Sequence, residues 1–311
     1  MGKKQKGTII MNQSAARGLA EATVLRLAAR ILRTPVAGTV RRIPWEEGGG
    51  FYNVWRIDTP EPAWILKRSD AAEAAFYREA GEAPGLARCL GETEFRGKIY
   101  LLLEHFNGRD LTRCRRADLR CALDALIALQ SRYWECEATP GEAFAALRES
   151  AARRRETLRD ETLRRAFDEF LRLYDRLPRT LVHADLLPFN VLSDGTRAVL
   201  IDWESGGCGP YPASLARLIA HGTPSPDGGF TLSAADRAFA ISYYYVHLLR
   251  PHGIGEAEYR RALTAFLFFE RTEWIFVHEK YGTPSDDARY LSDLREVPRL
   301  ASMLLEGEKN G

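Results

Sequence analysis

Three oxygen-bearing side chains, Asp185, Asn190 and Asp202, stand within one short stretch of this 311-residue chain. Asp185 precedes Asn190 by five residues and Asp202 by seventeen. After Asn190 come the apolar pair Val191-Leu192, the turn signal Ser193-Asp194-Gly195 and the apolar run Ala198-Val199-Leu200-Ile201. Asp-Gly between two apolar runs marks a hairpin, because glycine accepts positive φ at no steric cost. A hairpin here brings Asn190 and Asp202 together, with Asp185 a few residues away. Three such side chains on fixed loops suit a hard cation such as Mg²⁺ and a phosphate.

The elements that must position them can be read from pattern. Residues 14–33 read as a helix: Leu19, Val24, Leu27, Ala28, Ile31 and Leu32 fall near helical spacing, with Asn12 or Ser14 as its cap. Glu21 is the only acid of this Arg-rich segment, which gives it the look of a transit peptide. It lacks serine enrichment and runs straight into strand-like sequence, so we read it as a helix packed on the first lobe of the fold. Strand-like runs come at 38–43, 51–57 and 63–67, with Gly48-Gly49-Gly50 between the first two. The third ends in Lys67, and Ser69-Asp70 opens a helix to about residue 81. Asp70 and Glu73 have capping-box spacing. A strand at 100–103 leads into Glu104-His105-Phe106. Beyond Gly108 the chain reads as helical over 117–136 and 141–174, then, after the hairpin, over 213–220, 234–249, 256–281 and 287–305.

Composition narrows the field. A formal net charge of +2 argues against a dedicated nucleic-acid binder. No apolar run approaches the roughly 20 residues of a membrane span. The six histidines are scattered without paired-ligand spacing, which argues against zinc. Five cysteines with no C-x-x-C pair fit reduced thiols in a cytoplasm.

The string HADLLPFN, followed by IDWE, resembles the catalytic and metal loops of the aminoglycoside phosphotransferase and choline kinase superfamily, small-molecule relatives of the protein kinases. The order of strand, Gly-rich turn, strand, strand with Lys, helix and strand agrees with a kinase-like N-terminal lobe. The resemblance implies an α+β, two-lobed protein-kinase-like fold, with a small antiparallel-sheet N-lobe and a larger helical C-lobe. Its expected divisions are a tail and leading helix at 1–34, the N-lobe at 35–106 and the C-lobe at 107–311. It also implies ATP and Mg²⁺ as cofactors, with Asn190 and Asp202 as metal ligands. Asp185 would orient the acceptor hydroxyl and accept its proton late, as a loose phosphoryl-transfer transition state requires. His183 would fix the loop. Lys67 is the candidate phosphate anchor, and either Glu73 or Glu79 could pair with it. Glu79 shares a stripe with Ala72 and Phe76, so we assign the pairing to Glu79 and the capping role to Glu73. The string Glu73-Ala74-Ala75-Phe76-Tyr77 also resembles an E-x-x-F-Y pattern of ecdysteroid-kinase-like relatives, which keeps Glu73 open. Gly48, Gly49, Gly50 and Asn53 form a small-residue loop suited to phosphates. Glu104 and Phe106 stand where a hinge would offer backbone groups to adenine.

Two positions depart from the superfamily's pattern. Gln130 stands where some members have His, and Ser214 stands where many have an Asp that braces the catalytic loop. The expected function is transfer of the ATP γ-phosphate to a hydroxyl of a small molecule, aminoglycoside-, choline- or sugar-like. Tyr243, Tyr244, Tyr245, Glu270, Glu273 and Trp274 are candidates to hold a cationic acceptor. The alternative is a kinase-fold regulatory protein with little turnover, which Ser214 favours. A protein kinase is disfavoured, because 206–212 is too short for an activation segment.

Overall fold

The computed structural model describes residues 18–44, 50–60, 62–136, 143–220, 232–281 and 288–306. The described chain falls into two units. The first holds residues up to Ala74 together with Arg88–His105, and the second holds Ala75–Ala87 together with the residues from Phe106 onward.

In the first unit, α1 (Glu21–Leu32) precedes β1 (Thr39–Pro44), β2 (Phe51–Asp58) and β3 (Trp64–Ser69). After α2 (Ala71–Ala80) come β4 (Cys89–Phe95) and β5 (Lys98–Glu104). The five strands make one antiparallel sheet in the order β1-β2-β3-β5-β4. The apolar stripe of α1, Val24, Leu27 and Ala28, packs on Trp55, Ile57, Leu66, Tyr100 and Leu102. The start of α1 has Ala20 at the cap position with no side-chain bond, and the expected caps Asn12 and Ser14 lie outside the described residues. Strand β4 was not expected. It is an edge strand carrying Glu92 and Glu94, and polar residues on an edge hide the alternation that marks a strand.

The expected N-lobe, 35–106, would hold α2 whole. Instead the division between units passes through that helix at Ala74. The cause lies in its second half, where Phe76 stacks on Trp203 at 4.5 Å between ring centroids.

The second unit opens with β6 (Arg109–Asp110), α3 (Arg116–Arg132), α4 (Ala143–Thr157) and α5 (Glu161–Arg176). One helical region was expected over 141–174. The break falls at Asp160, whose carboxylate accepts from the Leu163 N–H at 2.9 Å and so starts a new helix. Then come β7 (Arg179–His183), β8 (Val191–Ser193), β9 (Ala198–Leu200) and β10 (Gly206–Pro210). Strands β8 and β9 form the expected hairpin, closed by Gly195 at φ 90 and by the Asp194 carboxylate. That carboxylate accepts from Thr196 N, Thr196 Oγ1 and Arg197 N, and these bonds lower its pKa to about 2. Four helices follow: α6 (Pro212–Ala220), α7 (Ala234–Tyr244), α8 (Glu256–Tyr281) and α9 (Ala288–Glu306). Helix α7 runs into a π-helical turn, Tyr245–Leu249, rather than continuing as α-helix. Rings from α5 and α8 form the core, with Phe170 stacked on Phe269 at 4.8 Å. None of the described helices is long and apolar enough to cross a membrane.

Strand β10, Gly-Gly-Cys-Gly-Pro, has no β-forming pattern, yet it pairs antiparallel with β7 and is buried at every position. Space dictates its composition. A Cβ on Gly209 would lie 2.7 Å from Val182 Cγ2, and one on Gly206 would lie 2.4 Å from the Trp203 ring. We predict that Gly206→Ala forces the indole to move and lowers stability by about 1–3 kcal/mol. Urea unfolding of the variant beside wild type reads this as a lower midpoint; an unchanged midpoint would mean the ring has room to yield.

Candidate active site

In the first unit, β3 presents Lys67 opposite Val54 of β2 and Leu101 of β5. Its Nζ lies 2.6 Å from Glu73 Oε1, with the Glu73 side chain only 1% exposed. Ser69 Oγ donates to the other Glu73 oxygen at 2.8 Å. The pairing assigned to Glu79 is thus made by Glu73, and Glu79 is exposed. The reason is local. Asp70 Oδ1 accepts from the Glu73 N–H at 2.8 Å, which is half of a capping box, but the Glu73 carboxylate turns to the strand instead of back to the cap. Asn53 Oδ1 accepts from Arg42 Nη2 at 3.1 Å. Gly50 directly precedes β2, whereas Gly48 and Gly49 lie outside the described residues. At the expected hinge, the Glu104 N–H donates to the Arg88 carbonyl and the His105 N–H to the Ala63 carbonyl, at 2.8 and 3.1 Å.

In the second unit, His183 ends β7 with no exposed surface. Its Nε2–H donates to the Ile201 carbonyl at 2.8 Å, and its ring packs on Trp203. Its backbone N–H donates to Ser214 Oγ at 2.9 Å. A buried serine hydroxyl therefore braces the loop at this point. Asp185 comes next, in a turn. Its carbonyl accepts from the Leu187 N–H at 2.7 Å and from Asn190 Nδ2 at 2.8 Å. Asn190 is 4% exposed, and its own carbonyl accepts from the Ile201 N–H at 2.9 Å. That last bond holds Asn190 beside the residue preceding Asp202. Asp202 adopts the left-handed region, φ 68 and ψ 62, and Glu204 beyond it is exposed. Asn190 and Asp202 fit Mg²⁺ by donor chemistry: the amide nitrogen is committed to Asp185, which leaves oxygen as the ligating atom, and Asp202 adds a carboxylate. Mg²⁺ typically takes one or two such ligands, with water and phosphate oxygens completing its shell. Phe106 packs under the Arg197 guanidinium at 5.1 Å, and its carbonyl accepts from the Gly108 N–H.

Sequence reasoning did not single out Arg217 of α6. Its Nη2 and Nε approach Asp185 Oδ1 at 2.9 and 3.2 Å. Its Nη1 reaches Glu270 Oε2 at 2.9 Å and Glu273 Oε2 at 2.8 Å. Burial disfavours its charge, but Glu270, Glu273 and Asp185 outweigh that and raise its pKa well above the ordinary arginine value. A signal for it existed: Arg217 is the one charge in the apolar helix Pro-Ala-Ser-Leu-Ala-Arg-Leu-Ile-Ala, and a buried charge needs a partner. Of the expected aromatic acceptor residues, the Trp274 side chain lies outside those described, and the three tyrosines are engaged elsewhere. Tyr244 is fully buried and donates to Gln130 Oε1 at 2.6 Å. Tyr243 donates to Asp124 at 2.7 Å, and Tyr245 stacks on Tyr259. Gln130, buried, also donates to the Tyr211 carbonyl at 3.2 Å, so it ties α3 to the segment entering α6.

The family model of the phosphotransferase enzymes, APH, matches residues 42–249, more than half of the chain. No curated protein matches by sequence. Among solved structures, a choline/ethanolamine kinase family protein from Mesorhizobium loti superposes with a TM-score of 0.59 at 17% identity, covering 91% of this chain and 98% of that one. An aminoglycoside phosphotransferase from Alicyclobacillus acidocaldarius gives 0.56 at 16% identity, covering 88% and 92%. A thermostable mutant of the aminoglycoside phosphotransferase APH(4)-Ia, in ternary complex with AMP-PNP and hygromycin B, gives 0.55 at 16% identity, covering 90% and 98%. At these identities the likeness shows the fold, the two-lobed protein-kinase-like α+β class. The family is shown by the sequence model, and the chain belongs to the phosphotransferase enzyme family, with aminoglycoside phosphotransferases and choline kinases as its structural relatives.

Proposed function

We propose that this protein is an ATP- and Mg²⁺-dependent kinase that moves the γ-phosphate to a hydroxyl of a small molecule. The observation that carries the reading is the joined loop in which Asn190 Nδ2 holds the Asp185 carbonyl and the Asn190 carbonyl holds the Ile201 N–H. It supports a division of labour among this chain's residues. Asp185, 39% exposed, orients the acceptor hydroxyl and takes its proton. Asn190 and Asp202 are the residues that would hold Mg²⁺, which when bound offsets charge building on the transferred group. Lys67, kept in place by Glu73, is the anchor for the nucleotide phosphates. The relative bound to AMP-PNP and hygromycin B supports a nucleotide and a small hydroxyl-bearing acceptor as the two substrates.

The test is a transfer assay from ATP across alcohols, sugars and aminoglycosides, beside calorimetric ATP binding. Asp185→Asn is expected to bind ATP with nearly unchanged affinity while turnover falls about 10²–10⁴-fold. Full turnover in that variant would remove the core of the reading.

The Lys67 partner gives a second prediction. Glu73→Gln removes the charged partner 2.6 Å from Lys67 Nζ and is expected to weaken ATP binding about tenfold or more, since losing one member of a buried ion pair is typically costly. Glu79→Gln is expected to bind ATP like wild type. The reverse ranking in calorimetry would return the role to Glu79.

A further inference from the structure

We infer that Arg217 is a positioning residue for the transfer, which turns Asp185 toward the acceptor hydroxyl by holding one of its two carboxylate oxygens. The inference rests on the phosphotransfer reading above and adds a residue to it. Asp185 is held in two independent ways. The loop fixes its backbone, through the bonds that its carbonyl accepts from the Leu187 N–H and Asn190 Nδ2. Neither bond sets the rotamer of the side chain. That falls to Arg217, whose Nε and Nη2 both approach Oδ1, at 3.2 and 2.9 Å. Among the described residues Oδ2 takes no hydrogen bond, so it is the oxygen left for an acceptor. The Asp185 side chain is 39% exposed against 16% for Arg217, so a mostly buried cation presents an accessible carboxylate.

The arginine is itself fixed from behind. Its Nη1 donates to Glu270 Oε2 and Glu273 Oε2 of α8 at 2.9 and 2.8 Å. A guanidinium is planar and rigid, so with Nη1 committed to α8 the direction of its Nε and Nη2 donors is set. Burial works against the charge, but Glu270, Glu273 and Asp185 outweigh it and keep the arginine ionised. Its place on α6 supports the same role. Arg217 stands three positions after Ser214, on one face of the helix, and Ser214 Oγ accepts from the His183 N–H at 2.9 Å. Helix α6 therefore grips the loop twice, at His183 through a neutral hydroxyl and at Asp185 through a cation. A lysine would supply the charge without the fork, since one ammonium lacks the fixed directions that bridge α8 and the loop.

The experiment is a double-mutant cycle on turnover. Transfer from ATP is measured on the fastest acceptor of a panel that holds choline, glycerol, glucose, hygromycin B and related alcohols, sugars and aminoglycosides. Arg217→Lys keeps the charge and loses the fork. In the wild-type background kcat is expected to fall about 10- to 100-fold, while calorimetric ATP affinity stays unchanged. In the Asp185→Asn background the same change is expected to cost less than about threefold, because a residue that acts through the Asp185 carboxylate has nothing left to direct. If Arg217→Lys does not fold, Glu273→Gln loosens the same arginine at a partly exposed position and is read in the same cycle. Its expected loss is about threefold or more with Asp185 present, and none beyond that of Asp185→Asn alone. Equal losses in both backgrounds overturn the inference and leave the phosphotransfer reading standing. So does a variant faster than wild type, which would show the guanidinium occupying the oxygen that the acceptor needs. A wild type that transfers to no member of the panel overturns that reading and this inference with it.

Discussion

One buried imidazole ties together the loops on which the candidate site depends. His183 has no solvent exposure, and its contacts reach the Ile201–Trp203 segment and the start of α6. Its Nε2–H fixes the carbonyl of Ile201, one residue before Asp202. Its backbone N–H fixes Ser214 at the start of α6, the helix that carries Arg217. Its ring packs on Trp203, which in turn stacks on Phe76 of α2. A buried polar group is costly unless hydrogen-bonded, and once bonded it defines a single geometry. His183 thus braces the segments that carry Asp202 and Arg217, alongside the Asn190–Ile201 and Arg217–Asp185 bonds.

Charge is handled in two different ways. In the first unit Lys67 meets the buried Glu73, and Ser69 donates to the carboxylate's other oxygen. Breaking a buried pair by removing one partner is typically costly. In the second unit one arginine is shared among three carboxylates on a loop and on α8. A network of that kind tolerates the loss of one acid better, because the guanidinium keeps other partners. The serine at 214 fits the same pattern: a neutral hydroxyl accepts the His183 N–H where a carboxylate would add a further buried negative charge.

How legible this was in the sequence depended on whether the signal was local. The hairpin was readable because Asp194 and Gly195 meet the demands of a tight turn within four residues. The strands with alternating burial, β2 and β3, were readable for the same reason. Strand β10 was not, since its glycines answer to Val182 and Trp203 rather than to strand propensity. Glu73 was misassigned because its spacing from Asp70 matches a cap, and the cap N–H bond is indeed made; only the direction of the side chain differs, and β3 sets that. Helix periodicity favoured Glu79 because it weighs faces and not distance along the axis from the strand. Arg217 escaped because its partners are distant in sequence, Asp185 at 32 residues and Glu270 and Glu273 of α8 at 53 and 56. The tyrosines at 243–245 were candidates for a ligand on residue type alone; burial gives Tyr244 to the core, while Tyr243 bonds to Asp124 and Tyr245 stacks on Tyr259.

Asp202 has a backbone of the kind glycine adopts freely, with φ at 68. A non-glycine residue there costs roughly 1–2 kcal/mol, less for aspartate and asparagine than for others. A chain selected for thermal endurance alone would place glycine at this position and shed that strain. If Asp202 holds Mg²⁺ as proposed, its carboxylate at this position marks a conflict between robustness and activity at one residue. On that proposed role, stability-guided redesign would meet the conflict here, and a more heat-resistant variant obtained by relaxing residue 202 would be a more durable shell around a weaker enzyme.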